Sequence, residues 1–337
     1  MEMKKAFLSM PEEEAFKYFD IFRHTLSGTV GKNLMTMEFP LDQELEGGAQ
    51  ELLLRLRDTK LTDDLLLEEF YDKVIENYEF AENYYIILIH AAYDVPGKSS
   101  DNMEMFDASD TVYEHIMCSI CPVKLTKAGL TYNAEKNNIE DRIRDWFVEM
   151  PATGFLFPAF QDRASDVHHV LYYSKKPEDL QPDFIANVLG NITPLTAKDQ
   201  KTTFQSLVSD TLGEDCDYDT VRNIHDNLNE LMEEAKESPD PLELSRPDVK
   251  HLLERSGVPE EKMEHFDKNF EEAVGEKNTL LASNIASVKT FQIKTPDIVV
   301  KVNPERSDLV ETREIDGRRC LVIAIDDHLE VNGIEVR

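Results

Sequence analysis

The sequence is poor in cysteine, has no long apolar run and is short of basic residues. Four cysteines in 337 residues make no disulfide framework, so a reducing cytoplasm is the expected location. No window approaches the roughly 20 apolar residues that a membrane-spanning helix needs. The residues that follow Met1 also lack the apolar stretch of a signal peptide. These absences predict a cytoplasmic protein without a membrane anchor.

Basic residues are outnumbered nearly two to one. The chain has 36 Lys and Arg against 67 Asp and Glu, which gives a formal net charge of −31. A polyanion repels nucleic acid and anionic lipid, so this charge argues against both as partners. A basic protein is the partner that such a surface suits, although the charge equally serves solubility. The sequence leaves the oligomeric state open.

The common catalytic signatures are also missing. The chain contains no Gly-x-Ser-x-Gly, His-Glu-x-x-His or Gly-x-Gly-x-x-Gly, which are typical of hydrolases, zinc proteases and dinucleotide-binding enzymes. No set of residues has the spacing of a complete metal site. The sequence therefore implies no cofactor and no metal, and it leaves open whether the protein is an enzyme.

What is present divides the chain into three segments. Residues 1–195 carry a charge of −17 and alternate between helical and strand-like apolar patterns. Residues 196–282 carry −12 and show helical periodicity throughout, whereas residues 283–337 carry only −2 and switch to period two. We therefore predict an α+β protein: a mixed α/β core domain, an acidic helical segment and a small C-terminal antiparallel β-sheet.

Two local patterns in the first segment are specific. Ser9-x-x-Glu12 has the spacing of a capping box, which predicts a helix beginning at this point. Residues 84–93 are almost continuously apolar, which predicts a strand covered on both faces. In the last segment, Asp316-Gly317 and Asn332-Gly333 are the dipeptides that type I′ hairpin turns favour.

One candidate for phosphate binding follows the apolar strand. Gly97, Lys98 and Ser99 end a stretch that fits a loose phosphate-loop pattern, with Ala92 in place of the first glycine. Pro96 removes one of the backbone N–H groups that such a loop points at phosphate, and the residues that follow are acidic. An ordinary turn after a strand is therefore the simpler interpretation.

A second candidate combines charged and aromatic residues between positions 140 and 169. Arg144, Asp162, Arg163, His168 and His169 lie near Trp146, the only tryptophan. A histidine beside carboxylates could act as a general base. The simpler interpretation is a salt-bridged loop beside an aromatic core. Convergence of Arg144, Arg163 and His169 on one pocket would support an enzyme.

Cys118-Ser-Ile-Cys121 is a Cys-x-x-Cys pair without a second pair to complete a zinc site. It lies in an apolar, strand-like run that ends at Pro122, whereas a redox pair needs a helix N-terminus. Buried structural cysteines are the expectation.

Several stretches together resemble one bacterial family. They include Phe39-Pro-Leu, residues 51–58, residues 82–94, Cys118-Ser-Ile-Cys-Pro, residues 154–160 and Val302-Asn-Pro-Glu-Arg. The family is known as domain of unknown function 4317, and the resemblance extends along essentially the whole chain. Its members carry further residues before the position of Met1, including a strand, so the resemblance leaves the sheet order open. It implies a soluble bacterial protein and no particular activity.

Two functions remain as hypotheses at this point. The first is a non-enzymatic cytoplasmic protein-interaction or regulatory module, suggested by the acidic surface and the missing catalytic motifs. The alternative is an enzyme acting on phosphate esters or nucleotides, through the Gly97-Lys98-Ser99 loop or the Arg144/Arg163/His169 cluster. The near-neutral residues 283–337 form the part of the chain that would repel an uncharged or acidic partner least.

Overall fold

The α+β class predicted from the sequence is confirmed by the computed structural model. The structure describes residues 9–98, 104–238, 241–275, 278–287, 290–325, 328–331 and 333–336. The chain divides into two compact units, Met1–Pro194 and Leu195–Arg337. The proposed boundary inside the second unit, between residues 282 and 283, stays a prediction.

The first unit is built on a single antiparallel sheet with helices from both ends of its sequence. Its elements in chain order are α1 (Glu12–Thr25), β1 (Leu34–Glu38), α2 (Ala49–Asp58), α3 (Asp64–Asn77), β2 (Tyr84–Lys98), β3 (Glu104–Leu125), β4 (Leu130–Asn133), β5 (Asn138–Asp141), β6 (Trp146–Val148), β7 (Thr153–Phe157), β8 (Ala159–Gln161), β9 (Ala164–Asp166), β10 (His169–Ser174) and α4 (Pro182–Asn187). A short 3-10 helix, Leu41–Glu44, precedes α2.

The strand order of this sheet is β1-β10-β7-β3-β2, and β6 pairs with β3 beyond this path. The ladders are antiparallel, with Met37 opposite Val170 and Phe155 opposite Cys118. Strands β2 and β3 form a long hairpin with register shifts on either side of Pro96. The acidic stretch 104–110 therefore lies within a strand.

Helices cover both faces of the sheet. On one face, residues such as Ile116, Phe155 and Tyr172 form a core with α2, α3 and α4. On the other face, Met117 and Leu156 pack in a cluster with Phe22 of α1. Alternate residues of β2 belong to each core, as the apolar run predicted, because neighbouring strand residues point to opposite faces.

The helix starts agree less well with the sequence. Helix α1 begins at Glu12 with Pro11 as its N-cap residue, so the predicted capping box does not place Ser9 at the N-cap. Helix α3 instead has a true side-chain cap, because the carboxylate of Asp63 accepts from the N–H groups of Leu65 and Leu66.

The second unit begins with helices and ends with hairpins. Its elements are α5 (Ala197–Leu212), α6 (Tyr218–Glu234), β11 (Glu243–Leu244), α7 (Arg246–Arg255), α8 (Phe266–Ala273), β12 (Leu280–Leu281), α9 (Ala282–Ile285), β13 (Phe291–Lys294), β14 (Val299–Val302), β15 (Val310–Ile315), β16 (Arg318–Ile323), β17 (Leu329–Val331) and β18 (Ile334–Val336). The helices enclose a core that includes Phe204, Leu228 and Phe270.

The C-terminal strands are antiparallel, as predicted, but they do not join into one small sheet. Within the residues described, β13–β14, β15–β16 and β17–β18 are separate two-stranded ladders. The turn between β15 and β16 has positive φ at Asp316 (51°) and Gly317 (73°), as a type I′ turn requires. The hydroxyl of Tyr218 on α6 donates to the carbonyl oxygen of Val310 over 3.1 Å, which ties a hairpin to the helices.

Candidate functional site

The two adjacent histidines of the predicted cluster each contact a carboxylate. Nδ1 of His168 lies 2.7 Å from Oε1 of Glu44, and Nδ1 of His169 lies 2.7 Å from Oδ2 of Asp166. Glu44 comes from the 3-10 helix before α2, so the first contact joins segments 124 residues apart. The sequence predicted the histidines but gave no local signal for Glu44.

This geometry favours a structural role for His168. Its hydrogen bond to Glu44 raises the pKa of the imidazole, and the nearby charges of Asp166 and Glu38 raise it further. The side chain is 62% exposed, so solvent surrounds most of the ring. An exposed imidazole whose pKa is raised by a contacting carboxylate fits the salt-bridged loop considered in the sequence analysis.

Asp162 and Arg163 form the turn of the β8–β9 hairpin. Both have positive φ, 48° and 63°, as the two central residues of a type I′ turn do. The guanidinium of Arg163 donates to the carbonyl oxygen of Pro96 at the distal end of β2. Arg163 therefore connects the β8–β9 turn to the long β2–β3 hairpin.

Arg144 lies elsewhere. Its Nε donates over 2.9 Å to the carbonyl oxygen of Thr126, directly after β3 ends. Pro96, the partner of Arg163, is opposite Ser109 near the other end of β3. At about 3.3 Å per strand residue, Ser109 and Thr126 are separated by roughly 55 Å along the chain. The structure does not bring Arg144 and Arg163 together, so the convergence expected of an enzyme pocket is not found.

The phosphate-loop candidate also lacks its structural context. Gly97 lies opposite Met105 in the β2–β3 ladder, and Lys98 is the last residue of β2. A phosphate loop needs a helix after the glycine-rich turn, so that the helix N-terminus faces the phosphates. Here Glu104 opens another strand. Ser99 lies outside the described residues.

Cys118 and Cys121 are both buried, as expected, and they belong to different cores. Cys118 packs in the cluster beside α2 and α3, whereas Cys121 packs in the cluster beside α1. Burial raises the pKa of Cys118, and it raises that of Cys121 to about 12. Two thiols on opposite faces of one strand cannot share a ligand or form a disulfide with each other.

The β4–β5 hairpin exposes a set of apolar side chains. Leu130, Tyr132 and Ile139 share one face of this ladder, because Tyr132 is opposite Ile139 and Leu130 is two residues from Tyr132. Their side chains are exposed, Leu130 to 75%. We call this set the apolar hairpin face.

The opposite face of the same hairpin is polar and internally bonded. Asn133 donates to Glu140 over 2.6 Å, and the ammonium of Lys136 lies 3.0 Å from the same carboxylate. The hairpin is therefore amphipathic, with its polar face satisfied and its apolar face open to solvent. An amphipathic element normally covers its apolar face with protein.

Two further apolar side chains are exposed after the hairpin in sequence. Ile143 is 83% exposed and Trp146 is 60% exposed. Residues 130–148 contain three basic and four acidic side chains, so this stretch is close to neutral in a chain of net charge −31. Aromatic residues and arginine with little net charge are typical of the centres of protein interfaces.

Comparison with protein families gives the chain its classification. A model of the domain of unknown function DUF4317 matches residues 1–334. The chain belongs to this family. No curated protein and no solved structure matches this DUF4317 chain.

Two features are absent from the described part of this DUF4317 chain. No helix there is long and apolar enough to cross a membrane. No group of three or more His, Cys, Asp or Glu side chains in the described ranges is arranged to hold a metal ion.

Proposed function

We propose that the protein is a non-enzymatic protein-interaction module, and that its apolar hairpin face contacts the partner. The observation that carries this proposal is the amphipathic β4–β5 hairpin, whose apolar side chains lie in solvent while its polar face is internally bonded. Fully burying one Leu or Ile side chain contributes about 1.5 to 3 kcal/mol. A partner that buries this face would therefore gain a substantial part of its binding free energy from these side chains.

The partner that fits has an apolar patch surrounded by basic residues. The near-neutral stretch 130–148 suits apolar contact, and the remainder of the acidic chain attracts positive charge from a distance. Charge of this kind raises the association rate and sets specificity more than it raises affinity. Cytoplasmic location and a bacterial source remain part of the proposal.

The test compares two double variants of the same hairpin. Tyr132→Ser with Ile139→Ser removes the apolar face, whereas Thr131→Ser with Asn138→Ser changes only the polar face. Each is used to capture partners from native lysate at low and at high salt. The apolar-face variant should lose a salt-sensitive partner that the wild type and the polar-face variant retain. Loss by both variants, or by neither, would contradict the assignment of this face.

Trp146 provides an independent readout in the same experiment. It is the only tryptophan and is largely exposed, so its emission should be that of an indole in water. Binding that covers residues 143–148 should shift this emission to shorter wavelength.

A thermal-shift screen distinguishes the interaction module from the alternative function, an enzyme acting on phosphate esters or nucleotides. Any ligand that prefers the native state must raise the melting temperature. We expect no shift with nucleotides or divalent metals. A clear shift, accompanied by turnover in an activity screen, would favour the enzyme.

A further inference from the structure

Strand β2 is the outermost strand of the sheet in the first unit, and it is long for an edge strand. It extends over 15 residues, and across the described ranges it pairs with β3 alone. In an antiparallel ladder, alternate residues direct their N–H and C=O groups to opposite sides of the strand. About half of the backbone groups of β2 therefore face away from β3.

The central part of this edge lacks acidic and basic residues, proline and register shifts in the described ladder. Natural edge strands are blunted by charged side chains, proline or bulges. Residues 84–93 contain no Asp, Glu, Lys or Arg, and Pro96 with its register shifts comes only after this run. We call the side of residues 84–93 that faces away from β3 the β2 edge.

Helices on both faces of the sheet hold β2 in an extended form, because its side chains pack alternately on one face and the other. Ile86 and Leu88 pack against the core formed with α2 and α3, while Ile87 and Ile89 pack against the cluster formed with α1. Except for buried Ile87, residues 84–91 remain half-buried. A strand fixed on both faces has already lost its conformational entropy, so it is preorganised to accept a further strand.

We propose that the β2 edge binds an extended segment of a partner polypeptide by strand addition. The segment is uncharged and rich in β-forming residues at its centre, and it has basic residues at both ends. Exposed Glu82 and Asp94 bound the uncharged run, so each end of an added strand meets a carboxylate. The acidic surroundings, −17 over residues 1–195, act in the same direction.

A second copy of this chain fits the edge poorly. Antiparallel pairing of residues 84–93 with themselves brings Glu82 of one copy beside Asp94 of the other, at both ends of the ladder. Like charges on neighbouring strands are destabilising. The partner is therefore a different polypeptide, and this site is separate from the apolar hairpin face.

The first experiment uses synthetic peptides and the full chain. The probe is a dye-labelled peptide of about ten residues with alternating valine and threonine and two lysines at each end. Its matched control carries glutamates in place of the lysines. Fluorescence anisotropy should show binding of the lysine-flanked peptide at least about tenfold tighter than the glutamate-flanked one.

A charge-reversed variant distinguishes a change of specificity from a folding defect, because misfolding would weaken the binding of both peptides. Glu82→Lys with Asp94→Lys changes two exposed side chains and should reverse the order of the two peptides. The Tyr132→Ser, Ile139→Ser variant should bind the lysine-flanked peptide as the wild type does. Loss of peptide binding in that variant would place the peptide on the hairpin and overturn the assignment to β2.

Hydrogen exchange locates the bound segment. Exchange in the free protein identifies which of the neighbours Ala91 and Ala92 directs its N–H to the free edge. That residue, and alternate residues along 84–93, should become protected when the lysine-flanked peptide binds. Whichever of Ala91→Pro and Ala92→Pro removes this outward N–H should abolish binding. The Ala→Val variant at the same position should preserve it, because only proline removes the donor.

Three results would overturn the proposal. The peptides could bind with no preference for charge at the ends, protection could appear outside residues 84–93, or the free protein could already show slow exchange at both alanines. Self-association of the full chain that protects the same amides would replace the partner polypeptide with a second copy.

Discussion

At the scale of single residues, the clearest pH-sensitive contact is the one between His168 and Glu44. We predict that NMR titration finds the pKa of His168 above its ordinary value of about 6.5. Glu44→Gln should lower it, because the variant keeps the side-chain shape and removes the charge that favours imidazolium. Glu38→Gln should lower it less, since Glu38 is the weakest of the three acidic causes.

The sign of the effect on stability follows from the direction of that shift. A histidine with a raised pKa in the folded state stabilises the fold fully at pH values below its pKa in the unfolded chain. This contribution disappears as the pH rises through the folded-state pKa. Because the ring is exposed, the change in melting temperature should be small. An unaltered pKa in Glu44→Gln would contradict the contact.

The cysteines give a second prediction at this scale. Cys216 is exposed, whereas Cys118 and Cys121 are buried. Raising the pKa of Cys121 from 9.0 to about 12 lowers its thiolate fraction on the order of a thousandfold, and burial blocks access as well. Alkylation followed by mass spectrometry should label Cys216 first in the native protein. All four cysteines should react in denaturant, and equal native rates would contradict the assigned burial.

At the scale of elements, the central strands approach one another closely at Gly154. A Cβ atom at this position would overlap the carbonyl oxygen of Cys118 and the methyl group of Thr25. The hydroxyl of Thr25 also lies 2.7 Å from that of Ser119, which fixes α1 on the sheet. Gly154 therefore allows α1 and the neighbouring strand to approach closely.

We predict that Gly154→Ala lowers the free energy of unfolding by about 1 to 3 kcal/mol, because the added methyl group overpacks the sheet. Gly129→Ala is the matched control, since a Cβ at Gly129 has no atom within 4 Å. That variant should change stability by less than about 0.5 kcal/mol. Urea unfolding measures both. If the two variants lost the same free energy of unfolding, the destabilisation would come from replacing glycine and not from overpacking at Gly154.

The elements also show what the sequence could and could not predict. Local pattern placed strand β2 from its apolar run and the turn between β15 and β16 from Asp316-Gly317, because each element repeats or turns with its own geometry. It could not predict that β1 pairs with β10, since that ladder joins residues about 135 apart. The fully apolar run of β2 indicated coverage on both faces correctly but said nothing of its place at an edge.

The candidate site was the less predictable part. His168 and His169 were selected from their residue type, but Glu44 is recruited by tertiary folding and has no signal in sequence. Arg144 and Arg163 are 19 residues apart and yet lie near opposite ends of β3, because β6 to β9 run back along the sheet. Proximity in sequence is a poor guide to convergence when the intervening strands extend along the sheet.

At the scale of the whole molecule, the charge and the apolar surfaces have different distributions. Acidic residues dominate the first 282 positions, whereas residues 130–148 and 283–337 are close to neutral and expose apolar side chains such as Ile143 and Ile323. Under the proposed function, different parts of the chain supply the long-range attraction and the short-range contact. This separation is what a charge-steered interaction protein needs.

The helices of the second unit contact residues of its C-terminal part. Phe291 packs edge-on against Tyr218 at a centroid distance of 6.3 Å, and the hydroxyl of Ser307 donates to Asp226 over 3.1 Å. Val310 is fully buried. The helices of residues 196–282 therefore depend on residues that the sequence placed in a separate segment.

We predict that a fragment of residues 195–337 unfolds cooperatively, whereas residues 195–282 melt several degrees lower and residues 283–337 alone do not fold. Isolated two-stranded hairpins are marginal in water, and the shorter helical fragment loses the cover over Tyr218. Circular dichroism on heating compares the three fragments. If residues 195–282 melt at the same temperature as residues 195–337, the contacts with α6 add no stability. The three-segment division would then describe the folding units better than two.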